Sequence, residues 1–288
     1  MLLLAGAVPI DKLPLLIGEI EVDEQGVKIE GHDLAFNRGN EAMMAAACLI
    51  CQEYGVENPV GLVAGDVGNR EGSEKIYDYL AENLPKLNVR VLTLHYIMPD
   101  LKRNKKVLAT IDTMKEKPIL IADAGSMYVA KAGGDSHYYD VFTPDLGETA
   151  FLADDKADHP TFTRGFIFHM ENNVPELIRR AYASNNTAPT LFVKGSVDYV
   201  CHDNEILYTI DQPNVESMEP IGGTGDLITG MISGLIHAGK SPVDACLIAG
   251  HVNRKAGELS QPTPATQVSD ILKFVPAALE EVLAKQGL

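Results

Sequence analysis

A glycine-rich segment in the C-terminal third of the chain carries the residues best suited to chemistry. Residues 221–233 read IGGTGDLITGMIS, a glycine turn followed at once by an amphipathic apolar run. Glycines let the backbone curl so that several N–H groups face one point, and the dipole of a following helix adds positive potential there. Such a point stabilises a phosphate or a developing anion. An ordinary capped loop is the open alternative, because short glycine motifs also arise by chance.

Asp226 directly follows these glycines. A bound phosphate repels a neighbouring carboxylate, so an acid here needs a role, and removing a proton from a hydroxyl that attacks phosphorus is the role that fits. We expect Asp226 to be this base, with a helix N-cap as its structural alternative. We expect the backbone N–H groups of the preceding residues to bind the anion, namely those of Gly222, Gly223, Thr224 and Gly225.

Length and charge limit the class of protein. The 288 residues fit one large α/β domain or two small ones, and we expect a single domain over residues 1–288. The net charge of −16 argues against general binding to nucleic acid or to an anionic membrane. Positive potential for phosphate chemistry must therefore be local, from backbone amides, one or two lysines and a divalent metal.

The remaining bulk features favour a cytoplasmic protein. The first residues, MLLLAGAVPIDKLPLLIG, have no basic segment and no apolar run long enough for a leader or a membrane span. Cys48 and Cys51 form a C-x-x-C, but they fall in a predicted helix, and the other two cysteines do not provide a second pair at zinc spacing. We expect free structural cysteines in a reducing compartment.

Apolar runs of strand type alternate with helical patterns over the first two thirds of the chain. The predicted strands are 59–64, 89–94, 118–122 and 190–193, and the predicted helices between them are 41–54, 74–84, 102–115 and 174–183. This alternation predicts an α/β fold with a mostly parallel central sheet and helices on both faces. After Val193 we expect an antiparallel hairpin of 197–201 and 206–210, then helices ending near Ala238 and Leu259, and a last helix over 270–284.

Ligands of open parallel sheets bind beyond the carboxyl ends of the strands. Acids, glycines and a lysine follow the predicted strands at Asp66 with Asn69, Asp123, Asp145 with Glu148, and Lys194. Each position alone is also what a solvated loop would show. Their recurrence in step with the strand and helix alternation favours a site.

Three stretches carry a resemblance to a known family. They are GGTGDLITGMISGLIHAGKSPVDA (222–245), FTPDLGETAFL (142–152) and LFVKGSVDYV (191–200), with a looser match in ILIADAG (119–125). Over residues 118–288 the chain resembles the ribokinase-like superfamily, and within it the ADP- or ATP-dependent NAD(P)H-hydrate dehydratases. FNRGNEAMMAAACL (36–49) is also similar to the Gly-Asn segment of sugar-kinase-like members. Asp145 stands where the dehydratases usually have histidine.

The resemblance implies roles for the matched residues. ADP or ATP would donate a phosphoryl group to a hydroxyl on a hydrated nicotinamide ring, and phosphate would then leave. Lys194 would contact phosphate, its alternative being a surface lysine, and Glu148 would help to organise Mg²⁺ through water, its alternative being a helix cap. We expect Asn253 on the adenine side. We expect Asp66, Asn69, Asp123 and Asp145 to line the substrate pocket, with contact to the metal as the alternative for Asp123.

Three functions stay open from the sequence. The first is the dehydratase, and the second is an ATP-dependent kinase for a sugar or a vitamin-precursor alcohol. The third is a nucleotide-binding protein without catalysis, against which Asp226 argues. In each case the partners are a nucleotide and a small molecule, and we expect a homo-oligomer that binds neither nucleic acid nor membrane.

Overall fold

Strands and helices alternate along most of the chain in the computed structural model, which describes residues 1–23, 26–35, 38–165, 173–263 and 265–286. The strands are β1 (Leu2–Val8), β2 (Leu16–Glu19), β3 (Glu21–Val22), β4 (Gly26–Ile29), β5 (His32–Ala35), β6 (Val60–Gly65), β7 (Val91–His95), β8 (Ile119–Ala122), β9 (Val141–Phe142), β10 (Thr190–Val193), β11 (Asp198–His202) and β12 (Glu205–Ile210). The α-helices are α1 (Asn40–Glu53), α2 (Glu71–Asn83), α3 (Leu101–Asp112), α4 (Gly125–Gly133), α5 (Leu146–Ala153), α6 (Val174–Ala183), α7 (Thr224–His237), α8 (Pro242–Ser260), α9 (Val268–Leu272) and α10 (Val275–Gln286).

These strands form two sheets. The larger has nine strands in the order β12-β11-β10-β9-β8-β7-β1-β6-β2, and the smaller has the order β3-β4-β5. Strands β7 to β10 pair in parallel, with Leu94 beside Ala122 and Ala122 beside Phe142. Strand β11 pairs antiparallel with β10, and β12 lies on the other side of β11 at the edge of the sheet. The predicted α/β fold with a mostly parallel sheet is confirmed.

The chain divides into two compact units. Unit one comprises Met1–Leu4, Leu16–Leu62 and Ile210–Leu288, and unit two comprises Ala5–Leu15 and Val63–Thr209. Both are built from separate stretches of sequence. The single domain over residues 1–288 stays a prediction.

In unit one, α1 and α7 pack with their backbones close together. A Cβ at Gly230 would overlap the carbonyl oxygen of Met43, and a Cβ at Gly234 would lie 2.9 Å from Cβ of Ile50. These contacts advance in the same direction along both helices, so α1 and α7 run parallel. Glycine is needed at both positions because any side chain would force the helices apart.

In unit two, strands β7, β8 and β10 are buried along nearly their whole length, as expected when helices cover both faces of a parallel sheet. Lys131 of α4 forms three buried hydrogen bonds within this unit. Its ammonium donates to the carbonyl oxygens of Phe151, Asp154 and Ala157 at 2.5, 2.6 and 2.7 Å. Burial lowers the pKa of Lys131 to about 8. The three acceptors use all three ammonium hydrogens and fix the end of α5.

Two sequence predictions were wrong or incomplete. The single helix over 270–284 is two helices, α9 and α10, separated at Lys273 and Phe274. Pro276 contributes to the break, because it has no N–H for the carbonyl of Leu272, and its place in the first turn of α10 suits the start of a new helix. The buried strand β1 and the small sheet β3-β4-β5 were not predicted. Within the described residues, no helix combines the length and apolar character needed to cross a membrane.

Candidate active site

The predicted glycine turn is the start of α7 in unit one. Gly223 is the N-cap residue with φ of 103°, a conformation that strongly favours glycine, and no side chain caps the helix there. Thr224 begins the helix, and its hydroxyl donates to the carbonyl oxygen of Ile221. The N–H groups at this helix start therefore have no capping side chain. That is the arrangement in which a helix N-terminus binds an anion.

The start of α1 lies beside the start of α7. Gly39, with φ of 94°, is the N-cap of α1, and again no side chain caps the helix. Its backbone N–H donates to Oδ2 of Asp226 at 2.6 Å. Because the helices run parallel, their dipoles add positive potential at the same end. Each first turn contains one buried carboxylate, Glu41 or Asp226, which offsets part of that potential.

Two further residues of unit one have side chains relevant to a ligand. Arg38 is exposed and runs along the turn, with its Cδ 3.2 Å from the point where a Cβ of Gly222 would stand. Asn253 of α8 is buried, and its Oδ1 accepts no hydrogen bond within the described chain. Sequence reasoning missed Arg38, although an arginine directly before the Gly-Asn pair was a usable signal. Phe36 and Asn37 of the same sequence stretch lie outside the described residues.

In unit two, polar residues collect where the parallel strands end. His95 ends β7, Asp123 follows β8, Thr143 follows β9 and Lys194 follows β10. The Lys194 ammonium contacts both carboxylate oxygens of Asp123, at 2.9 and 3.1 Å. Only 14% of the Lys194 side chain is exposed, so the alternative interpretation of Lys194 as a surface lysine was wrong.

His95 completes this group and was missed from the sequence. It is fully buried, and its Nε2 lies 3.5 Å from Oδ2 of Asp123. Tyr96 directly follows His95 and Ala124 directly follows Asp123, and both have strained backbones with φ of 50°. Such strain is often found where a site must be held in one geometry. A lone histidine ending an apolar strand was the only sequence signal.

Asp145 and Glu148 open α5 as a reciprocal cap. The Glu148 N–H donates to Asp145 Oδ1 at 2.7 Å, and the Asp145 N–H donates to Glu148 Oε2 at 2.9 Å. The hydroxyl of Tyr128 donates to Glu148 Oε1 at 2.6 Å. Burial, and next the charge of Asp123, raise the pKa of the Glu148 carboxyl. The capping alternative for Glu148 is thus observed, and its magnesium role stays a prediction.

These acids fit a hydrated Mg²⁺ better than a directly caged one. Both oxygens of Glu148 already accept a hydrogen bond, and Asp123 is engaged by Lys194. Each carboxylate oxygen has a further lone pair that a metal-bound water can use. Mg²⁺ retains several waters when phosphates supply the remaining ligands.

Asp66 and Asn69 shape the loop between β6 and α2. The Asp66 carboxylate accepts from the N–H groups of Gly68, Arg70 and Ser73 and from the Ser73 hydroxyl. Burial opposes ionisation of Asp66, but these hydrogen bonds outweigh it and lower its pKa. Asn69 is exposed and accepts from the N–H of Glu71. The substrate role of both residues stays a prediction.

Comparison with known proteins identifies the family. The Carb_kinase family model, described as NAD(P)H-hydrate dehydratase, matches residues 78–276. The chain belongs to this family. The predicted family resemblance is therefore confirmed.

Sequence and structure relatives extend the match. The chain is 38% identical over 242 residues to "Uncharacterized protein MJ1337" of Methanocaldococcus jannaschii, covering 83% of this chain and all of that one. It is similar in structure to the ADP/ATP-dependent NAD(P)H-hydrate dehydratase of Bacillus subtilis, with a TM-score of 0.61, 16% identity and coverage of 97% and 90% of the two chains. Phosphofructokinase-2 of Escherichia coli matches with a TM-score of 0.54, 12% identity and coverage of 97% and 100%. The ribokinase-like fold is confirmed.

Proposed function

We propose that the protein is an ADP- or ATP-dependent NAD(P)H-hydrate dehydratase. The observation that supports this most is the hydrogen bond from Gly39 to Asp226 between two uncapped helix starts. It holds a carboxylate beside a point of positive potential, where a phosphoryl group and its acceptor hydroxyl would meet. The family match supplies the substrate class.

The proposed reaction has two steps. Asp226 takes the proton of the substrate hydroxyl, whose oxygen forms a bond to the terminal phosphorus while the bond to the nucleotide oxygen breaks. The ring nitrogen then donates its electron pair, the carbon–oxygen bond breaks and inorganic phosphate leaves. The adjacent ring carbon loses a proton to water, which restores the ring double bond and gives NAD(P)H. N–H groups of Gly222, Gly223, Thr224 and Gly225 stabilise the charge on the transferred group.

The remaining residues bind and orient. Lys194 neutralises phosphate charge, and Asn253 contacts the adenine through its buried amide. Asp66, Asn69, Asp123 and Asp145 orient the substrate. Glu148 would hold a Mg²⁺ ion through its water ligands, and the ion would supply charge neutralisation on the nucleotide phosphates.

A kinase acting on a sugar or a vitamin-precursor alcohol is the second candidate. Asp145 favours it, because an exposed carboxylate at this position repels the phosphates of a pyridine nucleotide. The fold serves both reactions, since phosphofructokinase-2 shares it.

One experiment separates the two functions. The protein is mixed with NADH hydrate, Mg²⁺ and either ADP or ATP, and NADH absorbance and free phosphate are followed in the same tube. A dehydratase releases NADH and phosphate one for one. A kinase instead forms a stable phosphomonoester from a member of a sugar and alcohol panel, with no free phosphate. No NADH with either nucleotide, in a protein that phosphorylates another alcohol, contradicts the dehydratase.

Two further predictions accompany this function. We propose a homo-oligomer, which light scattering of the purified protein will test. We also propose a cytoplasmic location, in keeping with four cysteines that are all free and buried.

A further inference from the structure

Arg38 is a cation placed beside the anion-binding turn. Its side chain lies along Gly222, with Cδ 3.2 Å and Nη1 3.7 Å from the position of a Cβ on that glycine. The next residue, Gly39, donates its N–H to Asp226. The backbone that holds the proposed base therefore also fixes the origin of the Arg38 side chain.

The excess of acidic residues in the chain makes an arginine that is unpaired within the described residues notable at this position. The chain has 40 acidic and 24 Lys and Arg residues. At least five arginines of the described chain pair with carboxylates, namely Arg70, Arg103, Arg164, Arg179 and Arg180. Arg38 forms no hydrogen bond or ion pair with any other described residue. In so acidic a protein, a guanidinium without a carboxylate partner beside this turn is available to a phosphate.

We propose that Arg38 binds the phosphoryl group while it is transferred, an inference that rests on the proposed function of the turn. The guanidinium forms and breaks no covalent bond. It donates two N–H groups to the equatorial oxygens of phosphorus, where charge accumulates as the acceptor oxygen approaches and the nucleotide oxygen leaves. The acceptor proton goes to Asp226. Glycine at 222 keeps the path of the arginine side chain clear.

The test compares wild type with Arg38→Gln, Arg38→Lys and Arg38→Ala. Arg90→Gln is the matched control, because Arg90 is also exposed and its guanidinium has no partner among the described residues, but it directly precedes β7, at the opposite end of that strand from His95. Rates are measured with NADH hydrate and donor nucleotide. Binding of ADP alone, and of ADP with Mg²⁺ and aluminium fluoride as a planar mimic of the phosphoryl group, is measured by calorimetry.

Arg38→Gln is expected to lower kcat by about 100-fold, as for loss of one charge-stabilising donor. The Kd for ADP alone should stay within about threefold, while the tighter binding given by aluminium fluoride is lost. Arg38→Lys should retain an intermediate rate, since a point charge remains. Added guanidinium chloride should restore rate to Arg38→Ala, whereas Arg90→Gln should behave as wild type.

The outcomes distinguish this proposal from the function it rests on. If wild type produces no NADH from the hydrate, the dehydratase fails, and aluminium fluoride binding alone then decides the role of Arg38. Folded Arg38→Gln that binds ADP with aluminium fluoride as tightly as wild type overturns the proposal, as does a kcat within threefold of wild type. Guanidinium chloride that fails to raise the rate of Arg38→Ala also counts against it.

Discussion

The backbone N–H of Gly39 and the carboxylate of Asp226 are joined by a 2.6 Å hydrogen bond across 187 residues of sequence. Both belong to unit one, at neighbouring N-terminal ends of two parallel helices. Parallel neighbouring helix dipoles repel each other, and negative charge at their N-termini relieves that repulsion. Asp226 therefore stabilises this packing as well as serving as the proposed base.

Replacing Asp226 with Asn is expected to nearly abolish turnover while nucleotide binding persists. The amide oxygen can still accept the N–H of Gly39, so the fold survives, but the side chain no longer accepts a proton. Loss of a general base typically lowers the rate by a factor on the order of 10²–10⁴. Steady-state kinetics and nucleotide calorimetry on the purified variant measure both effects.

Asp244→Asn is the control for this substitution. Asp244 is also in the first turn of a helix of unit one, where it interacts with Ser241 in an exposed cap. The same chemical change there should leave turnover unaltered. Asp226→Asn with more than about a tenth of wild-type activity would contradict the role of Asp226 as base.

The sequence was sufficient to predict the strands and helices that have a regular hydrophobic pattern. The strand at 190–193 and the helix at 174–183 were predicted to the residue, because buried apolar runs and capped amphipathic helices have local signals. The glycine turn that leads into α7 was also predicted, although the helix begins at Thr224, inside the predicted turn, rather than after Gly225. His95 and Arg38 could not be selected with similar force, because their importance comes from neighbours distant in sequence: Asp123 for His95, and Gly222 for Arg38.

Gly230→Ala is expected to destabilise the protein, although alanine favours helices. Its Cβ would overlap the Met43 carbonyl oxygen and push α1 and α7 apart. Overpacking of this kind costs about 1–3 kcal/mol.

Gly147→Ala in α5 is the matched control, since the nearest atom to its Cβ is 3.4 Å away. There the change should stabilise by about 0.5–1 kcal/mol. Urea unfolding of both variants checks the opposite signs, and equal effects would contradict the close packing.

Activity is expected to require Mg²⁺ and to vanish in excess EDTA, returning when Mg²⁺ is added back. The net charge of −16 disfavours the approach of an uncomplexed nucleotide polyphosphate. The oxygens of Glu148 are already hydrogen-bonded, so the metal should arrive with the nucleotide rather than remain on the protein. Rates that persist undiminished in EDTA after dialysis would rule this out.

Asp145→Asn tests whether charge at this position limits a pyridine nucleotide substrate. Asn still caps α5 through its oxygen. Removing the carboxylate should lower the KM for NADH hydrate by about twofold to fivefold at low salt, with the gain shrinking as salt rises. Asp203→Asn, an exposed turn residue that already adopts φ of 47°, controls for net charge. A KM unchanged in Asp145→Asn would mean that Asp145 does not face the substrate.

The last prediction concerns acid stability through Asp154 and Arg164. Burial opposes ionisation of the Asp154 carboxyl, but the Arg164 guanidinium at 2.7 Å and the N–H groups of Arg164 and Lys156 outweigh it and lower its pKa to about 2. A lowered pKa in the folded state means that the unfolded chain binds the proton more tightly. The stabilisation, about 2 kcal/mol, is therefore complete above the ordinary pKa near 4 and is lost as pH falls through about 2.

Asp154→Asn should be less stable than wild type at pH 7, and that difference in the free energy of unfolding should shrink between pH 4 and pH 2. Asp155→Asn, which alters the exposed partner of the same arginine, should differ little from wild type in the free energy of unfolding at any of these pH values. Urea titrations at pH 7, 4, 3 and 2 measure the free energy of unfolding of each variant and of wild type. A difference that stays constant over this range would show that the ion pair is not responsible for the loss of stability in acid.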